Sequence, residues 1–256
     1  MDYKNIIVEK EESYAIITIN RPPANAISAE LMREIGDVLS HFENEKDVKS
    51  LILTGSGDKI FCAGADLAAG FTENFGNIID LGHQILLKIE RYPKPVICAI
   101  QGHALGGGCE IALCCHFRIM KETATIGLVE SNLGIIPGYG GTLRLPRIIG
   151  RAKALEYIIF GTRLSAEEAL KVGLINSISK EGETLSDAKN LAKKIATRAP
   201  LATKYIIDCV SRGMEVSIEE AIQIEKSNFL EVIKTSDARE GIQAFFQKRT
   251  PQFKGE

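Results

Sequence analysis

Three times in its first half this chain carries a short apolar run into small or turn-forming residues and then into a helical pattern. That repetition restricts it to folds in which strands and helices alternate. Tyr14 to Ile19 stops at Pro22 and Pro23, after which Ser28 can cap a helix bearing Leu31, Ile35, Val38, Leu39 and Phe42. Ser50 to Thr54 ends in Gly55, Ser56 and Gly57, then passes through the glycine-rich stretch KIFCAGADLAAGFTENFGN into a weaker helical pattern. Pro95 to Gln101 leads to Gly106, Gly107 and Gly108, which open a helix containing Glu110, Ile111 and Leu113. Ahead of these repeats, Ile6 to Val8 and Tyr14 to Ile19 flank a charged turn around Lys10 to Ser13 and form a hairpin.

A second glycine-rich region, LGIIPGYGGTLRLPRIIG, precedes helices at 152–160 and 165–172, the latter with Ser165 and Glu168 at capping-box spacing. A last short strand is expected around Leu174 to Ile178. Beyond it the pattern is helical, with a further capping box at Ser217 and Glu220. The division between the mixed and the helical part falls near Arg198 to Pro200, giving a core of residues 1–198 and a helical region of 199–256.

Composition narrows the classes. With 256 residues, 45% hydrophobic and 25% charged, the chain is of ordinary globular make-up. Lys and Arg number 31 against 33 Asp and Glu, so no overall field attracts nucleic acid or an anionic membrane. Cys62, Cys98, Cys109, Cys114, Cys115 and Cys209 sit mostly in apolar segments, without a CxxC pair or a zinc-type spacing, and read as reduced thiols. The N-terminus has no signal-peptide core and no apolar run reaches the ~18 residues of a spanning helix, so the expected location is cytoplasmic.

Two features carry chemistry. Glycines after buried strands let backbone N–H groups approach a ligand, and a following helix adds its positive dipole end. Such turns hold an anion or a developing oxyanion, or they are tight turns and nothing more. No GxxxxGK[ST] or GxGxxG marks a nucleotide site. Glu110 lies in the apolar segment GGGCEIALCC, where desolvation would raise its pKa toward neutrality and suit it to proton transfer. Alternatively it is a first-turn glutamate favoured by the helix dipole.

The segments FCAGADL (61–67), KPVICAIQGHALGGGCEIAL (94–113), IGLVESNLGIIPGYGGTLRLPRIIG (126–150) and GTRLSAEEALKVGLIN (161–176) together resemble the crotonase, or enoyl-CoA hydratase/isomerase, superfamily. AFFQKR at 244–249 extends the likeness to the C-terminus. The resemblance implies an α/β spiral of ββα units with a C-terminal helical, oligomer-forming region, and a homotrimer or a dimer of trimers. It places an oxyanion hole at the amides of Ala65 and Gly107, which would hold a thioester oxygen and stabilise developing enolate charge by roughly 3 kcal/mol per donor.

Glu110 and Glu130 match the catalytic pair of two-glutamate hydratases, Glu110 mainly activating water and Glu130 mainly delivering a proton. Gly138 would position that water. Ala24, Ala63, Ala65, Asp66, Leu67, Gly107 and Val129, with Phe245 and Lys248 from a neighbouring subunit, would line the acyl-CoA site. For Phe245 and Lys248 a solvated amphipathic helix is the other reading. The implied reaction is hydration of a 2-enoyl-CoA, with no metal and no cofactor beyond the CoA of the substrate. Isomerisation, 3-hydroxyacyl-CoA dehydration and dienoyl-CoA hydration use the same hole, and a non-catalytic acyl-CoA- or RNA-binding protein is the alternative of another class. Two departures stand out: His116 replaces a common Asp, and Val129 replaces a common Pro beside Glu130, which leaves the acyl substrate open. The four histidines read as structural or exposed.

Overall fold

The computed structural model describes residues 2–66 and 75–256. The hairpin forms as expected: β1 (Ile6–Lys10) runs antiparallel to β2 (Tyr14–Ile19), with Ile6 opposite Ile19. Helix α1 (Ala29–Glu43) starts where Ser28 Oγ accepts from Leu31 N at 3.2 Å, satisfying an otherwise orphaned N–H. From β3 onward the chain repeats one unit. β3 (Ser50–Gly55), β4 (Ile60–Cys62) and α2 (Phe75–Glu90) form the first turn of a spiral. β5 (Val96–Ile100), β6 (His103–Leu105) and α3 (Gly107–Cys114) form the second. β7 (Phe117–Lys121) and β8 (Thr125–Gly127) begin the third, closed by a 3-10 turn at Glu130–Leu133.

Each repeat gives one strand to each of two sheets. The six-stranded sheet has order β1-β2-β3-β5-β7-β10 and the four-stranded one β4-β6-β8-β9. The repeat is thus strand, strand, helix, the ββα spiral that the resemblance implies. The second strand of each unit escapes a periodicity reading because three residues are too few to show one.

Helices α4 (Gly141–Ile149) and α5 (Arg151–Ile159) follow, then β9 (Leu164–Ser165), α6 (Ala166–Lys171) and β10 (Ser177–Ser179). The last strand begins later than the apolar pattern suggests. Leu174 and Ile175 are buried core side chains in the turn after α6, where both N–H groups bond to Ala169 O. Apolarity there reports burial, not extension. Helices α7 (Thr184–Ala196), α8 (Pro200–Gly213), α9 (Ile218–Val232) and α10 (Ser236–Gln247) complete the chain. Both expected capping boxes form, at Ser165 with Glu168 and at Ser217 with Glu220.

The parallel strands of the large sheet are covered on both faces, which is why they read as unbroken apolar runs. Ile17, Leu51, Leu53 and Cys98 pack with α1, α2 and α3 into the main core, while Tyr14, Ile16, Ile52, Ile97 and Ile119 face Ala188 and Ala192 of α7. Each fully buried aliphatic contributes on the order of 1.5–3 kcal/mol. No helix among the described residues is long and apolar enough to cross a membrane.

Buried polar groups tie the repeats together. Arg118 donates to Leu174 O, Ala112 O and Cys115 O, capping the carbonyl end of α3. His116 accepts from Val96 N through Nδ1 and faces Glu90 O through Nε2, and burial pushes its pKa down to about 4. The replacement of the family's common Asp therefore leaves a neutral bridge between β5 and the end of α2. His103 Nδ1 takes the Thr125 N–H, so this histidine too is structural.

Glycine sets how closely α3 approaches β4. A Cβ on Gly108 would lie 2.1 Å from the Cys62 carbonyl oxygen, a backbone atom that cannot rotate away. Gly108→Ala is expected to destabilise the fold by about 1–3 kcal/mol, read as a lowered urea midpoint. A midpoint equal to wild type would show that the contact is looser than this.

Candidate active site

Strands β4, β6 and β8 lie side by side and parallel, so their carboxyl ends open on one side of the small sheet. Crevices at such ends are where open α/β structures place ligands. The segments leaving them are Ala63 to Asp66, Gly106 to Gly107, and Leu128 to Glu130. Two residues of the IIPGYGG turn, Tyr139 and Gly141, fold back over the same spot and reach the side chain of Glu110.

The first segment is clamped to the residues before α1. Ala63 N donates to Ala24 O at 3.0 Å, Ile27 N to Gly64 O at 2.8 Å and Asp66 N to Ile27 O at 3.0 Å. Arg21 adds an ion pair to Asp66 at 2.6 Å. Gly64 takes φ +103, open to glycine at little cost, and a Cβ there would stand 3.2 Å from Gly107 N. A Cβ on Gly107 would in turn stand 3.5 Å from Ala65 N. The amides of Ala65 and Gly107 are therefore close neighbours, and neither donates to another backbone group among the described residues. Gly107 is also the first residue of α3, so its N–H carries the positive end of that helix.

Glu110, in the first turn of α3, is 1% exposed. Its Oε1 accepts from Tyr139 N and from Gly141 N, each at 2.7 Å. Burial pushes its pKa up to about 7 against the pull of these two amides, and the charge of Glu130 pushes the same way. Glu130 starts the 3-10 turn and presents its carboxyl to the glycine turn of the second repeat. A Cβ on Gly106 would be 3.2 Å from Glu130 Oε1. Its Oε2 is buried with no hydrogen-bond partner among the described residues, and burial raises its pKa.

Arg144, one turn into α4, was not singled out from the sequence. Its guanidinium is almost wholly buried and donates to Tyr139 O at 3.0 Å and to the Glu90 carboxylate at 2.9 and 2.8 Å. It fastens the turn that holds Glu110 to the end of α2, and its charge favours the ionised form of Glu110. Nothing in an exposed-looking TLRLPR segment distinguishes such an arginine from a surface one; only its partners, 54 and 5 residues away, do so.

These groups line a cavity of about 570 Å³ whose other walls are mostly apolar, among them Val129, Ile79, Ile135 and Leu143. Of the residues expected at the site, Ala63, Ala65, Gly107, Glu110, Val129, Glu130 and Gly138 all reach this cavity. Gly138 stands on its wall with open space before its Cα, while the turn amides that bind Glu110 are those of Tyr139 and Gly141, which the sequence reading did not name. Ala24 holds the first segment through its carbonyl, and Asp66, the last residue of that segment, pairs with Arg21. Leu67 lies outside the described residues. Phe245 and Lys248 are away from the cavity in the single chain, Phe245 78% exposed and Lys248 closing α10 at φ +55. No cluster of potential metal ligands occurs among the described residues.

A sequence model of the enoyl-CoA hydratase/isomerase family matches residues 9–256. A probable enoyl-CoA hydratase of Bacillus subtilis is 44% identical, covering 96% of this chain and 97% of its own. The short-chain-enoyl-CoA hydratase of Clostridium acetobutylicum is 40% identical, covering 97% of each chain. Among solved structures, the enoyl-CoA hydratase of Bacillus anthracis superposes with a TM-score of 0.95 at 41% identity, over 99% of this chain and 100% of that one. The likeness in sequence and in fold spans almost every residue, and the chain belongs to the enoyl-CoA hydratase/isomerase family.

Proposed function

We propose that this protein is an enoyl-CoA hydratase that reversibly adds water, on one face, to the double bond of a 2-enoyl-CoA to give a 3-hydroxyacyl-CoA. The observation that carries the reading is the presence of two glutamates, the buried Glu110 and the half-buried Glu130, on one cavity with the amides of Ala65 and Gly107, neither of which donates to another backbone group among the described residues. Relatives named as hydratases at 40–44% identity support it.

The thioester oxygen accepts from Ala65 N and Gly107 N. Attack at the β-carbon moves charge onto that oxygen, and donors already in place stabilise the enolate more than the ground state. Glu110, fixed through Oε1, has its other oxygen to take a proton from water as the hydroxyl adds to the β-carbon. Burial raises the pKa of Glu130, whose Oε2 has no hydrogen-bond partner among the described residues, and in its protonated form it passes a proton to the α-carbon. Gly138 is placed to orient the water. One proton is taken and one given: Glu110 ends the step protonated and Glu130 ionised, and return of a proton from Glu110 to solvent and from solvent to Glu130 restores the starting state.

The step is redox-neutral and its acid, base and electrostatic parts are all side-chain or backbone groups of this chain. The reading calls for no cofactor beyond the CoA of the substrate. Exposed apolar side chains on α8 to α10, such as Ile206, Val210, Phe229 and Phe245, support assembly as a trimer or a dimer of trimers. Such assembly would bring Phe245 and Lys248 to a neighbour's CoA. The free, mostly buried cysteines support a reducing, cytoplasmic setting.

Hydration of crotonyl-CoA, followed as loss of the conjugated thioester absorbance, is expected to fall by about 10²–10⁴ in kcat for Glu110→Gln and for Glu130→Gln. A Glu130→Gln rate comparable to wild type would sink its assignment as proton donor. Because Glu110 works ionised, kcat/KM should rise as pH increases through about 7. Arg144→Met removes a cation that favours the ionised form, so the rising limb should move to higher pH; an unmoved limb with lower activity would make Arg144 structural only.

A further inference from the structure

The side chain of Tyr139 has no part in the chemistry above, although its N–H does. Its ring is 5% exposed and lies between two glycines on different helices. A Cβ on Gly82 of α2 would fall 2.2 Å from the ring's Cε1, and one on Gly107 of α3 would fall 3.4 Å from its Cδ2. Gly82 must therefore be side-chain-free for the ring to sit where it does, while Gly107 bounds the ring at van der Waals distance. His83, the next residue on α2, meets it edge-on at 6.4 Å between centroids.

The residues lining the cavity differ in character: the Tyr139 ring is buried, whereas Leu133, Ile136 and Leu143 are 61%, 77% and 59% exposed. The ring lies beside Gly107, the residue whose amide is one of the two oxyanion donors in the hydratase reading, and so lines the cavity close to where the thioester would sit. The backbone of the same residue grips Glu110, which prevents the ring from moving aside without loosening that carboxylate. An acyl chain directed toward α2 would meet a wall that cannot yield cheaply, since close-packed interiors resist added methylenes.

We infer that Tyr139, seated in the Gly82–Gly107 notch, is the residue that limits the acyl group, and that the enzyme takes short-chain enoyl thioesters. The inference rests on the hydratase reading and adds to it the substrate class and the side chain that sets it.

The test is a chain-length series of trans-2-enoyl-CoAs of four, six, eight and ten carbons, with kcat/KM measured for wild type, Tyr139→Ala, Tyr139→Leu and Tyr139→Phe. Binding of the matching saturated acyl-CoAs is followed in parallel by calorimetry. Wild type should lose about tenfold or more in kcat/KM between the shortest and the eight-carbon substrate. Tyr139→Ala should recover most of that loss, and Tyr139→Phe, which keeps the ring, should not. Tyr139→Leu gives the same comparison with a smaller void should the alanine variant fail to fold. A flat wild-type profile, or a fall that the smaller side chains leave unchanged, overturns the inference. If wild type hydrates none of the series, the hydratase reading fails, and the calorimetric chain-length trend still decides whether the ring limits the acyl pocket.

Discussion

A carboxylate placed in the first turn of a fully buried helix has to be held by something, and most of the site follows from what holds Glu110. Isolated in a protein interior its charge would be prohibitive, and the ordinary outcome would be a neutral acid. Here two N–H groups of one turn converge on a single oxygen, and the other oxygen has no hydrogen-bond partner among the described residues. The result is a pKa near 7, low enough for the ionised form to be populated and high enough for the group to accept a proton. Arg144 and Glu90 extend the same support outward, since they hold the carbonyl of the residue whose amide holds Glu110.

The second half of the site depends on close approach and not on charge. Two amides can point at one oxygen only if the chains carrying them nearly touch, and glycine permits that contact at Gly64, Gly107 and Gly108. The spiral explains why the contact recurs in register. Successive repeats set β4, β6 and β8 next to one another, so the loops that follow them emerge at neighbouring positions although 40 or more residues separate Ala65 from Gly107 and 65 separate it from Glu130.

Tyr139 joins the two halves. Its backbone belongs to the support of Glu110 and its ring packs against Gly107 beside the other amide. A change of side chain there would alter the volume open to an acyl group while leaving the N–H in place, which is one way a family can vary substrate while keeping its chemistry. Val129, which stands where a Pro is common, lines the cavity just ahead of Glu130.

The sequence by itself determined the alternation of strand and helix, the caps of α1, α6 and α9, the glycine turns and the buried glutamate, because each is a local pattern of a few residues. It also carried, through a likeness of ordered motifs, the amides of Ala65 and Gly107 and the pairing of Glu110 with Glu130. It did not reveal β4, β6 and β8, whose three residues are fixed by sheet neighbours and have no periodicity of their own. Tertiary structure alone decided that Tyr139 and Gly141 bind Glu110, that Arg144 is buried against Glu90, and that Gly82 makes room for a ring 57 residues away. Each of these is a contact between segments distant in the chain. The residues are ordinary in their local context and acquire their roles from what the spiral sets beside them.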